Sequence, residues 1–399
     1  MPGLTRQQLA LAVSLSGVGS HPAARLAEDP AVAASWRYWT TLVAEAERGG
    51  LELVTLADGP SEPTDASATN DGHNRNRPSD PATNGRATAR LPWLDPALIA
   101  CRVAPVSVAV GLVPEIPTVT TEPFFVSTQI ATLDHVSGGR AGWSVIVSER
   151  ACDGESVGPR PVPPVGDRFA EAAEYIEVVR RLWDSWEDDA EIRDATANRF
   201  VDRERLHHID FEGRWLSVKG PSITPRPPQG QPIVAVAIHG QASLQLAAEQ
   251  ADVVFVKAGL GLLDTTQRLG DAVATAGRDP EQVVVLADLM VVLSDDAGAA
   301  ADRAAQLDTL AARDGSAHAT FAGTPAALAD RLIEQAGGGV HGFRLHPAVI
   351  ADDLPPIARR LTDELGTRGA RHAGGVRAPS LRARLGLPHP TNRYAVSAR

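Results

Sequence analysis

The stretch Ile233-Val234-Ala235-Val236-Ala237-Ile238-His239-Gly240-Gln241-Ala242-Ser243-Leu244-Gln245-Leu246-Ala247-Ala248-Glu249-Gln250-Ala251-Asp252-Val253-Val254-Phe255-Val256 reads as a strand, a helix and a second strand. Its two ends are short β-branched runs of the kind buried on both faces, and Ala242 to Gln250 between them has helical periodicity. Two parallel strands joined by a crossover helix are the repeating unit of α/β folds. The same pairing recurs along the chain. Further strands are predicted at Leu9 to Ser16, Leu51 to Ala57, Val106 to Val113, Gly142 to Val147, Val283 to Leu293 and Gly342 to Leu345, which makes eight in all. Helical patterns lie at Ser35 to Arg48, Asp95 to Arg102, Pro123 to Val136, Asp167 to Trp186, Leu262 to Ala276, Ala297 to Arg313, Pro325 to Gln335 and Leu354 to Leu365. Right-handed crossovers repeated this often close most simply into an α/β fold of the (β/α)8 TIM-barrel type, whose reactive end is the C-terminal edge of the strands.

Composition agrees with one large domain. The chain has 399 residues, 43% of them hydrophobic and 22% charged, which supplies a core and excludes wholesale disorder. A formal charge of −11 repels nucleic acid and anionic lipid and favours a small-molecule partner. The two cysteines, Cys101 and Cys152, are too few for a disulfide framework, so a reducing cytoplasm is expected. Leu9 to Gly19 has the length of a signal-peptide core, but Gln7, Gln8 and interspersed Ser and Gly make it a buried strand instead. No run approaches the roughly 18 apolar residues of a membrane span. The expected organisation is a single barrel over 1–373 with insertions at 59–92 and 187–232, followed by a basic tail, 374–399, whose Leu381 to Leu387 segment docks on a neighbouring surface. The 59–92 segment, rich in Asn, Asp, Ser, Thr, Pro and Gly, follows the second strand and is either a lid or disordered.

Several motifs dissolve on inspection. Gly154-Glu155-Ser156-Val157-Gly158 has the spacing of a nucleophile elbow, yet Pro159, Pro161, Pro163 and Pro164 forbid the helix that must leave it. Gly259-Leu260-Gly261 follows a strand but lacks the third glycine of a dinucleotide loop. His207, His208 and Asp210 do not make a metal site, because adjacent imidazoles on an extended segment point to opposite faces. No metal is expected.

The strand ends carry more. Asp58 closes Leu56-Ala57-Asp58, where a carboxylate can accept hydrogen bonds over the barrel mouth, although a turn cap is the plainer role. His21, just after the first strand, is a candidate proton carrier, or a solvated loop histidine. Thr118 and Thr120 follow the third strand, and Trp143, Ser144 and Ser148 ride on the fourth or just after it. A planar aromatic ligand needs an apolar wall such as Trp143 and small hydroxyl donors beside it; ordinary core packing is the alternative for Trp143.

Glu122-Pro123-Phe124-Phe125 and Ala131-Thr132-Leu133-Asp134-His135-Val136-Ser137-Gly138-Gly139-Arg140-Ala141-Gly142-Trp143-Ser144 resemble the signature of the bacterial luciferase-like flavin monooxygenases, in the nitrilotriacetate and dibenzothiophene sulfone monooxygenase branch. Trp36-Arg37, Leu182-Trp183-Asp184-Ser185-Trp186, Pro228-Gln229-Gly230, Phe321-Ala322-Gly323-Thr324-Pro325 and Leu381-Arg382-Ala383-Arg384-Leu385-Gly386-Leu387 extend the likeness over nearly the whole chain. The resemblance implies a luciferase-like barrel that takes reduced FMN from a separate flavin reductase and uses oxygen to oxygenate a small organic substrate, as a homo-oligomer. It assigns a catalytic role to His21, with Trp143 and Ser144 lining the ring as further catalytic candidates, and cofactor contacts to Asp58, Thr118, Ser144 and Arg168; His239 and the main-chain N–H groups near Gly240 are expected to face the phosphate. Ser144 stands where the family usually has Asn. The phosphate end departs further, with Val165 and Phe169 in place of a histidine and a tyrosine, and His239-Gly240 where a glycine and a serine are usual. Those exchanges remove side-chain donors and leave two alternatives open, a deazaflavin cofactor or a silent partner subunit.

Overall fold

The computed structural model describes residues 8–57, 94–147, 163–311, 318–337, 339–371 and 378–395. Among these, the strands are β1 Ala10–Leu15, β2 Leu53–Leu56, β3 Gly111–Pro117, β4 Gly142–Ile146, β5 Glu191–Asp194, β6 Arg199–Val201, β7 Phe211–Glu212, β8 Ser217–Val218, β9 Ile233–Ala237, β10 Val253–Lys257, β11 Val284–Leu293, β12 Ala319–Gly323 and β13 Gly342–Pro347. All pairings in the main sheet are parallel, in the order β10-β9-β4-β3-β2-β1-β13-β11. Pairing of β10 with β11 closes the ring, so these eight strands form the barrel. On that edge β11 first meets β10, through Lys257 opposite Asp288, and then β12, from Ala319 opposite Leu289 onward. The helices return over the outside, as parallel connections require.

Local sequence explains the element ends. Asp95, Asp296 and Thr324 each precede a helix and accept from a main-chain N–H of its first turn, at 3.0, 2.9 and 3.2 Å. The helix Pro123–Ser137 starts on a proline and stops at Gly138, whose φ of +66° is left-handed. At Gly342 the wall admits no side chain, because a Cβ there would lie 1.9 Å from the Ala10 carbonyl oxygen.

Two expectations needed correction. The third strand runs over Gly111–Pro117, not Val106 to Val113. Ala104–Val106 is a helical turn, Val106 and Val108 are exposed, and buried Arg140 donates to the carbonyls of Ala104, Ser107 and Val110, fixing the approach to the strand. Ala319–Gly323 is a strand that periodicity did not indicate, since three of its five residues are only half-buried. The 187–232 insertion holds two small antiparallel hairpins, β5–β6 and β7–β8.

Two cores follow from the alternation of side chains across a strand. One face of each barrel strand, with Leu11, Val54, Leu112, Val145, Val234 and Leu345 among its members, packs against the helices. The other faces inward, where Ala10, Ala12, Leu53, Val113, Ile233, Ala235, Val253, Phe255, Val284 and Leu286 meet. Leu381, Leu385 and Leu387 belong to this inner cluster. The tail therefore docks on its own barrel, where it plugs the N-terminal end of the ring. The plug is held by polar contacts: the Leu381 N–H donates to the Gly139 carbonyl at 2.8 Å, the Arg382 N–H to Gln229 Oε1 at 2.8 Å, and the Arg382 guanidinium lies 3.1 Å from Asp252. Asp134 accepts from Gln229 and from the Ala141 N–H beneath it. No helix among the described residues is long and apolar enough to cross a membrane.

Candidate active site

The inward face changes character along the barrel axis. Continuing the same alternation toward the strand C-termini brings Ser14, Thr55, Glu115, Ser144, Lys257, Asp288, Arg344 and His346 onto the inner face above the apolar floor. Register confirms their neighbourhood, pairing Ser14 with Thr55, Glu115 with Ser144, and Asp288 with both Lys257 and Arg344.

Arg344 is the centre of this layer. Its fork donates to both oxygens of Asp288 at 2.7 Å each, its guanidinium stacks 3.6 Å from the centre of the Phe255 ring, and Glu115 Oε1 lies 3.8 Å away. His346 Nε2 lies 3.2 Å from Asp288 Oδ1, and the His346 ring stacks on His318 with centroids 3.8 Å apart. Burial opposes ionisation of Asp288, but Arg344 and then His346 outweigh it and hold the carboxyl well below its usual range. Burial pushes the His346 imidazole down despite Asp288. It acts likewise on His318, which burial first and His346 next bring down to about 3. The layer is thus a fixed ion pair flanked by neutral imidazoles. Sequence reasoning missed all of it. The signal was a lone charged residue inside apolar runs, Asp288 in Val284–Leu293 and Arg344 in Gly342–Pro347.

The residues expected at the site are only partly gathered there. Ser144 faces the barrel interior and is buried. Trp143 does not: it is fully buried on the outer face, its indole N–H donating to the Ile116 carbonyl at 3.1 Å and its ring meeting Tyr175 of the helix Val165–Asp184 at 5.7 Å. Alternation along β4 forces that choice once Gly142 and Ser144 point inward, so the expected aromatic wall is corrected to sheet–helix packing. Buried His21 accepts from the Ala23 N–H at Nδ1 and faces Asp308 with Nε2 at 3.2 Å, an attachment to the helix Ala297–Leu310. It is not a solvated loop histidine. Thr118 is buried just beyond β3. Asp58, Ser148 and the 59–92 segment lie outside the described residues. His207 and His208 bond separate partners, Glu187 and the Gly220 carbonyl.

Arg168 and His239 open consecutive barrel helices whose strands, β4 and β9, are neighbours. Arg168 donates through Nε to the Pro163 carbonyl at 2.7 Å. His239 is exposed, and Gly240 has open space where a side chain would stand. Ser243 Oγ accepts from the N–H groups of His239 and Gly240, 2.9 Å each, which anchors the first turn of Gln241–Gln250.

The inner layer also suits a flavin. Thr55 Oγ1 is wholly buried on the inner face with no hydrogen-bond partner, a polar atom awaiting one, with Ser14 in register beside it. Such hydroxyls match the donor and acceptor edge of a flavin ring, while His239 and a helix N-terminus with open space match an anionic end.

Comparison with known proteins follows the same direction. Residues 15–334 match the luciferase-like monooxygenase family. The chain is 27% identical over 457 aligned positions to the N-acetyl-S-(2-succino)cysteine monooxygenase of Bacillus subtilis (strain 168), covering 98% of this chain and 99% of that protein. It is 35% identical over 262 positions to nitrilotriacetate monooxygenase component A of Aminobacter aminovorans, covering 65% of this chain but 56% of that one. The crystal structure of a long-chain alkane monooxygenase superposes with a TM-score of 0.80 at 23% identity, over 95% of both chains.

Proposed function

The chain belongs to the luciferase-like monooxygenase family, and from that premise we propose that it is a flavin-dependent monooxygenase acting on a small organic substrate with FMN reduced by a separate flavin reductase. The observation that carries the flavin reading is the partnerless, buried Thr55 Oγ1 on the inner face near the strand C-termini. When bound, reduced flavin supplies the electrons that let one atom of dioxygen enter the substrate and the other leave as water.

The protein's residues bind, orient and exclude water. Thr55, Ser14 and Ser144 hold the polar edge of the ring. Asp58 and Thr118 complete the contact toward the ribityl side, and Arg168, His239 and the main-chain N–H groups after Gly240 take the phosphate. His21, held by Ala23 and Asp308, positions the loop after β1. The Asp288–Arg344 pair fixes charge under the substrate without changing its protonation near neutrality, and the tail plug keeps water from entering below. A cytoplasmic setting belongs to the same proposal.

Anaerobic titration with reduced FMN tests it. Saturable binding is expected, with oxygen consumption once a reductase and oxygen are supplied; a protein that takes up reduced deazaflavin but no reduced FMN overturns the oxygenase reading. Thr55→Val separates ligand contact from packing. It removes an unsatisfied buried hydroxyl, so the thermal midpoint is expected to hold or rise, while flavin affinity falls about 2- to 10-fold for one lost neutral hydrogen bond. Unchanged affinity would place the ring elsewhere.

We also propose self-association through the face where Leu98 is 63% exposed and Trp36 stacks 4.4 Å from Arg102. Sedimentation velocity is expected to give a mass of about twice the 42.0 kDa chain or a higher multiple, and a monomer at micromolar concentration would refute it.

A further inference from the structure

We propose that Asp288, His318 and His346 form a binding site for one divalent transition-metal ion in the inner layer of the barrel, a site of the kind that takes Zn2+ or Co2+. One ligand atom from each residue lies within 4.8 Å of the others. Two imidazoles and one carboxylate are the donor set of many open zinc and non-haem iron centres, and they do not suit Ca2+ or Mg2+, which prefer oxygen.

Two observations support a cation there. First, His346 is nine-tenths buried or more, and its Nε2 makes no hydrogen bond although it lies 3.2 Å from Asp288 Oδ1. With the ring proton on Nδ1, a lone pair of Nε2 faces the carboxylate, and a cation between the two satisfies both. Second, Arg344 grips Asp288 through both oxygens, the outer contact that orients a metal-binding carboxylate, and each oxygen keeps a further lone pair. Three protein ligands leave a coordination position open for an exogenous ligand.

The rings of His318 and His346 stack with 23° between their planes. Nitrogens bound to one ion at about 2.0–2.1 Å converge in their ring planes. Binding therefore turns the His318 ring out of the stack, and that movement is part of the proposal.

The site shares the layer assigned to flavin and substrate, but it does not rest on that assignment, and its test uses no activity. Full-length protein, freed of metal by a chelator, is titrated with Co2+ and followed in the visible band of four- or five-coordinate cobalt, then challenged with Zn2+. One Co2+ per chain, displaced by one Zn2+, is expected. His318→Ala removes a half-buried ligand without opening the core, and is expected to weaken binding about 100-fold or more; His346→Gln is expected to abolish the band. The proposal is overturned if the unaltered protein shows no stoichiometric cobalt band, or if His318→Ala binds with undiminished affinity. A folded His346→Gln protein that keeps the band overturns it as well. In that case the short His346–Asp288 approach is a bent N–H···O bond.

Discussion

Leu381→Ala is expected to lower the unfolding free energy by about 3 kcal/mol, read as a fall in the urea midpoint at unchanged slope. Leu381 is fully buried, and its methyl groups sit where any side chain at Gly111 would have to go, 2.6 Å from that position. It shares the barrel interior with Leu53 and Val113, so its removal leaves a hole at the floor that rigid strands cannot collapse to fill. A surface leucine gives the control: Leu260 is fully exposed, and Leu260→Ala is expected to leave the midpoint within about 0.5 kcal/mol. Equal effects at the two positions would mean that the tail does not seal the barrel.

Arg344→Met should be the more damaging change at the other end, costing about 3–5 kcal/mol. The arginine neutralises Asp288 at two 2.7 Å contacts, and the methionine leaves that carboxylate buried without its counter-charge. Pairing Arg344→Met with Asp288→Leu removes both charges together. The double variant is expected to recover most of the loss, because a buried ion pair is often no more stabilising than apolar residues of like volume. A double-mutant cycle run in the presence of a chelator measures this coupling. If Arg344→Met alone proves neutral, the charged layer is not the desolvated pair that its geometry indicates.

The sequence made the barrel legible because strands such as Val253–Lys257 and helices such as Gln241–Gln250 differ in period and in β-branching. It was less informative about faces. A barrel strand is buried on both sides, so apolarity alone cannot say whether Trp143 or Ser144 looks inward, and it leaves a ligand wall and core packing equally open for the tryptophan. Nor does spacing along the chain reveal that Asp288, His318 and His346 converge, since they sit on or beside three different strands. The longest family-like motifs carry less chemistry than their length suggests. Asp134, Gly139, Gln229 and Arg382 bond to one another or to the tail at the barrel floor, which makes them determinants of the fold more than of the reaction.

The plug at the floor also sets an order of assembly during synthesis. The ring closes only when β13 reaches β1, where Gly342 pairs with Ala10, and the floor is sealed only after Leu381 to Leu387 have been made. Contacts so distant in sequence form slowly. A nascent chain on the ribosome therefore carries nearly every barrel strand while the inward faces of Ala12, Leu53 and Val113 still lack their last partners. That interval, more than any property of the finished barrel, is when this protein most exposes sticky surface.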